Sequence, residues 1–308
     1  AALAGAPELM AGMQAGQSAP QPGGGASPDL VVINAAVYTM DGRAPRAEAF
    51  AVAGDRFVAV GSTSDIRNLS GKNTQTFDAK GMTIVPGFID CHNHPVGETL
   101  LNEVLVGNPF EVEFVSIRSV IGKLRERAAK TPAGTWVEGH FFDDTKVSDQ
   151  RALTIRDLDE VSSEHPVIVR HRGGHTYFYN SKAFALAGIT KDTPNPMGGT
   201  YDKDADGNLT GRVTDLASAP FAKVGTRPVY TPAQQEQRAR DGMAHISKQF
   251  ARYGLTSVHH QGGDLPAIQD VRARGDLKHR VSYEVGGRSL EAMISAGMRS
   301  GFGDEWIK

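Results

Sequence analysis

From Asp29 to Met82 the apolar residues fall in short β-prone runs divided by turn residues. Leu30-Val31-Val32-Ile33 leads through Asn34 to Ala36-Val37-Tyr38-Thr39, and Asp41-Gly42 marks a turn. Glu48 to Val52 gives way at Gly54-Asp55 to Phe57-Val58-Ala59-Val60, closed by Gly61. Asp-Gly and Gly-Asp pairs between such runs are hairpin signals. The pattern predicts a small β-unit over residues 29–82, read as a β-sandwich segment. About fifty residues are too few to bury a good core alone, so this unit should pack on, or be completed by, another segment.

Beyond Gly81 the pattern changes to strands alternating with helices. Thr83-Ile84-Val85 reads as a buried run that ends in Pro86-Gly87-Phe88-Ile89-Asp90-Cys91-His92-Asn93-His94. Ile117, Val120, Ile121 and Leu124 recur at i, i+3, i+4 and i+7, one apolar face of a helix. Pro166-Val167-Ile168-Val169 is a second apolar run. The clearest helix opens at Thr231-Pro232, an N-cap followed by proline at the first helical position. Its stripe is Met243, Ile246, Phe250 and Tyr253, and Gly254 closes it. Leu255-Thr256-Ser257-Val258 follows as a strand. A helix over Leu265, Ile268 and Val271 leads to the strand Val281–Val285, and a last helix spans Leu290 to Met298. Such alternation predicts an α/β fold with a parallel sheet, closed or open.

The chemistry concentrates at Asp90–His94. Side chains alternate along a strand, so Asp90, His92 and His94 are expected on one face, with Cys91 and Asn93 on the other. Imidazoles at i and i+2, about 6.6–7 Å apart along the strand, can converge on one ion, and zinc accepts imidazole nitrogen at ~2.0–2.1 Å. A bare His-x-His fits two ordinary histidines at a strand–loop junction equally well; the Pro-Gly-Phe-Ile-Asp before it makes the metal reading the stronger one. Cys91, the sole cysteine, permits no internal disulfide and is expected to be a buried structural thiol.

Composition narrows the classes. Lys plus Arg (33) nearly balance Asp plus Glu (35), so no strong field draws the chain to nucleic acid or anionic membranes. No run approaches the roughly 18 apolar residues of a membrane span. Residues 1–28, Ala-rich and then Gly/Pro/Ser/Gln-rich, resemble a signal remnant or a flexible leader, with a small-x-small pattern at Ala4-Gly5-Ala6. A signal remnant would imply a periplasmic or secreted protein, and a plain leader a cytoplasmic one.

Val85-Pro86-Gly87-Phe88-Ile89-Asp90-Cys91-His92-Asn93-His94 is similar to the PGFIDxHxH signature of the amidohydrolase superfamily. Weaker matches narrow the resemblance to the YtcJ-like metal-dependent hydrolases, which include N-substituted formamide deformylases. These are Arg151-Ala152-Leu153-Thr154, Asp157-Leu158-Asp159, His165-Pro166-Val167, Gly174-His175 with Asn180-Ser181, Gly198-Gly199 and Gly254–Val258. The resemblance implies a TIM-like (β/α) barrel, a composite β-sandwich and one or two divalent ions, usually zinc. Those ions would activate water against an amide-like C–N bond. It makes residues 83–308 the N-terminal part of the barrel, with an insertion around 135–215, and leaves the barrel incomplete in this chain. It places the bridging lysine, two further histidines and the terminal aspartate beyond Lys308, with Lys308 itself just upstream of the lysine's strand. No general base is therefore named.

Secondary candidates are graded by setting. His171 and His175 flank Arg172-Gly173-Gly174, where glycines allow close backbone approach to a ligand; the resemblance puts the Gly-His near the substrate pocket. It also makes Asp215 a pocket carboxylate. Trp136-Val137-Glu138-Gly139-His140 continues as Phe141-Phe142-Asp143, where relatives carry Gly-Trp-Asp. His259 and His260 end a strand, and only one of them can face a pocket. Asp90 is a candidate to orient a ligand from behind. Asp202–Gly207 imitates an EF-hand start, but Val213 stands where the bidentate glutamate belongs, so Asp206-Gly207-Asn208 reads as a hairpin turn. The function expected is a metal-dependent hydrolase acting on a small-molecule substrate, with homodimerisation left open. The rivals are a non-catalytic chain that binds a small molecule or partner, and a decarboxylase or isomerase on the same barrel.

Overall fold

The computed structural model describes residues 27–299 and 301–308. The signal-remnant reading of the first residues therefore lies almost wholly outside the described residues. The chain divides into two compact units, Ala1–Gly87 and Phe88–Lys308.

In the first unit Pro28 is buried, and its carbonyl accepts from Thr74 Oγ1 at 2.6 Å. The elements are β1 (Leu30–Ile33), β2 (Ala36–Tyr38), β3 (Arg46–Ala47), β4 (Ala49–Ala53), β5 (Arg56–Gly61), α1 (Thr63–Arg67), β6 (Gln75–Asp78) and β7 (Thr83–Ile84). They form a four-stranded sheet, order β5-β4-β1-β6, and a three-stranded sheet, order β3-β2-β7. Alternation sorts β1 between two cores. Val31 and Ile33 pack with Ala49, Ala51 and Ile66, whereas Val32 joins Val37 and Ala79. Thr83–Ile84 pairs in parallel with β2 and is at most half buried. The expected buried run leading straight into the histidines is thus two strands in two units. Pro86, which lacks an N–H, stands in the break between them.

The second unit opens with β8 (Phe88–Asn93), α2 (Gly97–Asn102), β9 (Val104–Leu105), α3 (Ile117–Ala128) and β10 (Val137–Phe142). It continues through α4 (Ile155–Asp159), β11 (Val167–His171), β12 (Thr176–Tyr179), α5 (Ser181–Ala187), β13 (Tyr201–Lys203) and β14 (Leu209–Thr214). It ends with α6 (Pro232–Arg252), β15 (Leu255–Gln261), α7 (Leu265–Ala273), β16 (Arg280–Glu284) and α8 (Gly287–Ser295). A mixed six-stranded sheet, order β13-β14-β12-β11-β10-β9, occupies the middle of the sequence. Its two faces pack against separate cores, one built on α3 with Val167 and Val169, the other on Trp136, Ile168, Tyr179 and Phe221. The β13–β14 hairpin forms around Asp204, whose carboxylate accepts from the backbone of Asp206 and Asn208, the local turn chemistry expected in place of a calcium loop.

The second sheet is parallel, order β16-β15-β8. Met243, Ile246 and Phe250 of α6 and Ile268 and Val271 of α7 cover one face. Trp306–Lys308 already pairs with β16: Val281 N–H donates to Trp306 O at 2.7 Å, and Tyr283 N–H to Lys308 O at 2.7 Å. Lys308 thus hydrogen-bonds alongside β16 through both its N–H and its carbonyl. The fold is mixed α/β, and among the described residues the parallel sheet does not close into a barrel.

Candidate functional site

The C-terminal edge of the parallel sheet carries His92 and His94. β8 reaches that edge through its pairing with β15, opened by Phe88 N–H donating to Gly254 O at 2.8 Å. The register is Val258 opposite Asp90 but His260 opposite Asn93, so between these two pairs β8 holds one residue more than β15. This bulge resets the alternation. Asp90 and Asn93, not Asp90 and His92, end up as neighbours, and Asn93 Nδ2 donates to Asp90 Oδ2 at 2.9 Å. The other Asp90 oxygen accepts from His92 backbone N–H at 3.1 Å. Asp90 thus holds the bulge through one backbone and one side-chain contact. The ring of His92, in the bulge, and that of His94, just past it, lie 5.2 Å apart between centroids at 80° to one another, and both are exposed. Cys91 is exposed as well, which overturns its reading as a buried thiol; the bulge gives it no core face to occupy.

β15 separates its two histidines by strand parity. His259 Nε2 lies 3.2 Å from Glu284 Oε2 on β16, and the same carboxylate oxygen accepts from the Gln261 amide. His260 is fully buried, with its Nε2 2.9 Å from His279 Nε2. His279 Nδ1 continues the chain to Ser247 Oγ at 2.9 Å. Burial, and secondarily the neighbouring His259, pushes His260 down to about 4; burial and then His260 push His279 down to about 3. Both imidazoles are neutral at ordinary pH. Of the expected pair, His259 lines a cavity and His260 belongs to the core.

The remaining candidates gather at one end of the six-stranded sheet. His175 Nδ1 lies 2.8 Å from Asp215 Oδ1, and Asp215 N–H donates to His175 O at 2.9 Å. The pair is exposed, and Asp215 adopts a left-handed φ of 45°, a strained conformation for a residue with a Cβ. His171 Nε2 lies 3.3 Å from Asp144 Oδ1, and Asp143 Oδ2 accepts from Arg172 at 3.2 Å. Asp143, Asp144 and His171 place ligand-type atoms within 4.8 Å of one another. However, His171 Nδ1 accepts from Gly173 N–H at 3.0 Å, which puts the proton of the neutral ring on Nε2, the atom facing Asp144. That tautomer suits a hydrogen bond to the carboxylate better than a metal bond.

Sequence reading missed Glu284, His279, Asp144 and the half-buried Glu138, whose carboxylate accepts from Arg170 at 2.9 Å and Arg227 at 3.3 Å. Each partner comes from a different strand or loop, so local spacing carried no signal. For Glu284 a weak one existed, since a carboxylate at the end of a strand candidate is itself unusual.

A family model described as "Amidohydrolase family" matches residues 75–308. N-substituted formamide deformylase of Arthrobacter pascens is 34% identical over 191 residues, covering 62% of this chain and 35% of that protein. Putative amidohydrolase YtcJ of Bacillus subtilis (strain 168) is 28% identical over 238 residues, covering 76% of this chain and 42% of that protein. The chain therefore spans less than half the length of either relative. An uncharacterized metal-dependent hydrolase from Pyrococcus horikoshii OT3 superposes with a TM-score of 0.55 at 19% identity, over 90% of this chain and 52% of that one. The matched segment contains the whole second unit, with both histidines at the end of β8, and on that match the chain belongs to the amidohydrolase family.

Proposed function

We propose that this chain carries the metal-binding edge of a hydrolase that cleaves amide-like C–N bonds with water, built on a TIM-like barrel of which β8, β15 and β16 are the first parallel strands. One observation carries the reading: two exposed imidazoles, 5.2 Å apart, project from the C-terminal end of a parallel strand, the end at which barrels of this class place their sites. The donors fit a divalent cation. Both are imidazole rings, neither is engaged by a carboxylate among the described contacts, and zinc is an ion that imidazole nitrogen suits. Such an ion supplies Lewis acidity, polarising a carbonyl and lowering the pKa of a water. The chain's own part is positional: Asp90 pins the bulge through His92 N–H and Asn93 and so fixes the backbone that carries His92. The relatives' names support the hydrolase class, and the formamide deformylase supports an amide-type bond.

Zinc binding by the purified chain tests the reading. In a zinc titration the wild type is expected to bind the ion measurably more tightly than His92→Ala or His94→Ala. Equal affinity in all three proteins sinks the assignment. Incubation of the metal-loaded chain with N-substituted formamides, with formate release as readout, then separates hydrolysis from a purely binding role.

A further inference from the structure

Ser247 of α6, His279 and His260 of β15 are buried together, none more than 1% exposed, with both imidazole rings against Phe250 of α6. Their hydrogen bonds have a direction. Lys278 N–H donates to Ser247 Oγ at 2.7 Å, which leaves the hydroxyl proton for His279 Nδ1 at 2.9 Å. A neutral ring that accepts at Nδ1 carries its proton on Nε2. His279 Nε2–H therefore donates to His260 Nε2, 2.9 Å away, and the His260 proton stands on Nδ1. Burial holds both rings neutral, as these tautomers require. The His260 Nδ1 is itself buried and has no hydrogen-bond partner. An unmatched buried polar atom is uncommon in a native protein.

The strand register brings an acceptor beside it. His260 stands opposite Asn93 of β8, and Val258, two residues earlier on the same face of β15, stands opposite Asp90. Val258 packs in the core with Met243, Ile246 and Phe250 of α6. Asp90 and Asn93 share that side of the sheet, and both are half-buried where Ile89, Cys91 and His92 are exposed. The Asp90 carboxylate is near enough to His260 to oppose part of the effect of burial on the ring. Asn93 Nδ2 is committed to Asp90 Oδ2, which leaves Asn93 Oδ1 as an acceptor with no partner among the described contacts.

We infer that His260 and His279 are positioning residues for the metal edge: the chain from Ser247 through His279 and His260 closes on Asn93 Oδ1 and ends at Asp90, tying the backbone that carries His92 to helix α6. This rests on the hydrolase reading above for the ion and goes beyond it in assigning a role to residues that touch neither ion nor substrate. Every link then has one donor and one acceptor, and all the donors point towards a carboxylate, which only accepts. The second Asp90 oxygen already holds His92 N–H at 3.1 Å. His259, on the other face of β15, is no part of the chain.

Heteronuclear NMR of the imidazole nitrogens in the metal-free full chain reads the direction. His260 is expected to carry its proton on Nδ1 and His279 on Nε2, and Asn93→Ala is expected to shift the His260 Nδ1 signal. The reverse tautomers, or a His260 Nδ1 signal indifferent to Asn93→Ala, overturn the inference. Chelator-competed zinc titration then reads the consequence. Residues that orient a metal ligand from behind typically change affinity by about 10–100-fold, so His260→Leu and Asn93→Ala are each expected to weaken zinc binding about tenfold. His260→Gln, which keeps a side-chain N–H, is expected to recover most of the loss. Because both residues act through one chain, the double variant His260→Leu/Asn93→Ala should bind little more weakly than either single one. Phe250→Leu, which loosens the packing against both rings, is expected to lower Tm and leave zinc affinity unchanged. Circular dichroism checks the fold of each variant, and Ser247→Ala, which removes only the head of the chain, gives a milder change should His260→Leu fail to fold. Zinc affinity that simply follows Tm across the set overturns the inference, since the rings would then be core and no more. The two readings fail separately. Zinc bound no more tightly by the wild type than by His92→Ala sinks the metal edge while the NMR still decides the chain. Reversed tautomers in a protein that binds zinc through His92 and His94 sink the positioning role alone.

Discussion

His260 and His279 give acid sensitivity a residue-level origin. Both are fully buried, hydrogen-bonded to one another, and depressed by burial to about 4 and about 3. In the unfolded chain each returns to an ordinary value near 6.5. Between pH 6.5 and 4 the unfolded state therefore binds more protons than the folded one, and stability rises with pH across that window. The chain should be most stable above pH 6.5 and lose a few kcal/mol on acidification to pH 4. Urea midpoints measured across this range check it, and a His279→Gln variant should show a visibly shallower decline; an identical slope would remove the pair from the account. Cys91 makes a second prediction at this scale. Because its side chain is exposed, the native protein should react with a thiol reagent in seconds to minutes, as fast as the urea-unfolded chain does. Protection of the native thiol would restore the buried reading.

Among the elements, α2 and α6 meet through glycine. A Cβ on Gly97 would lie 2.0 Å from Gly242 O, and one on Gly242 would lie 2.4 Å from Glu98 N. Backbone cannot yield as a flexible side chain does, so Gly97→Ala and Gly242→Ala are each expected to cost about 1–3 kcal/mol or more. Thermal melts read this directly, and Gly122→Ala, where a Cβ meets open space inside α3, serves as a neutral or slightly stabilising control. Helix α4 shows another kind of closure. Thr154 and Asp157 form a reciprocal capping box, and Arg151 clasps the same carboxylate at 2.7 and 2.8 Å. The hydrogen bonds from Arg151, then those from Thr154, hold Asp157 at about 2. Asp157→Asn should lower stability by about 1–3 kcal/mol. The gap should narrow as pH falls from 4 towards 2, because protonation removes the wild-type advantage. Elements with such local signatures were readable in the sequence. Helix α6 ran as expected from its Thr231-Pro232 cap to Gly254, whose φ is 78°. Strand β10 was not readable, because its inward partners Arg170 and Arg227 arrive from β11 and a distant loop to neutralise Glu138.

The second unit as a whole combines two sheets with very different chain economies. Neighbours in the six-stranded sheet are mostly near one another in sequence, whereas β8 must find β15 across the entire intervening sheet. Closing that long loop is entropically costly before any contact rewards it, and distant parallel pairing is intrinsically slow. Refolding followed by pulsed hydrogen exchange should therefore protect amides of β11, β12 and β14 before those of β8 and β15. Simultaneous protection would argue against this order. The same separation explains what the sequence concealed about the site. The His92–His94 motif was visible because it is local, but the bulge that orients it is defined only against Val258 and His260. Likewise the His175–Asp215 contact was visible only as two unconnected candidates.

The bulge also decides which part of the protein sets the aim of the histidines. Upstream of it the strand is keyed to β15; downstream, His94 is three residues before the start of α2, whose footing on α6 is the glycine contact at Gly242. The pair thus straddles a mechanical joint, one ring referenced to the sheet and the other to a helix seat. A methyl group added at Gly242, far away in sequence, would act as a shim under that seat and is expected to change the angle between the two rings.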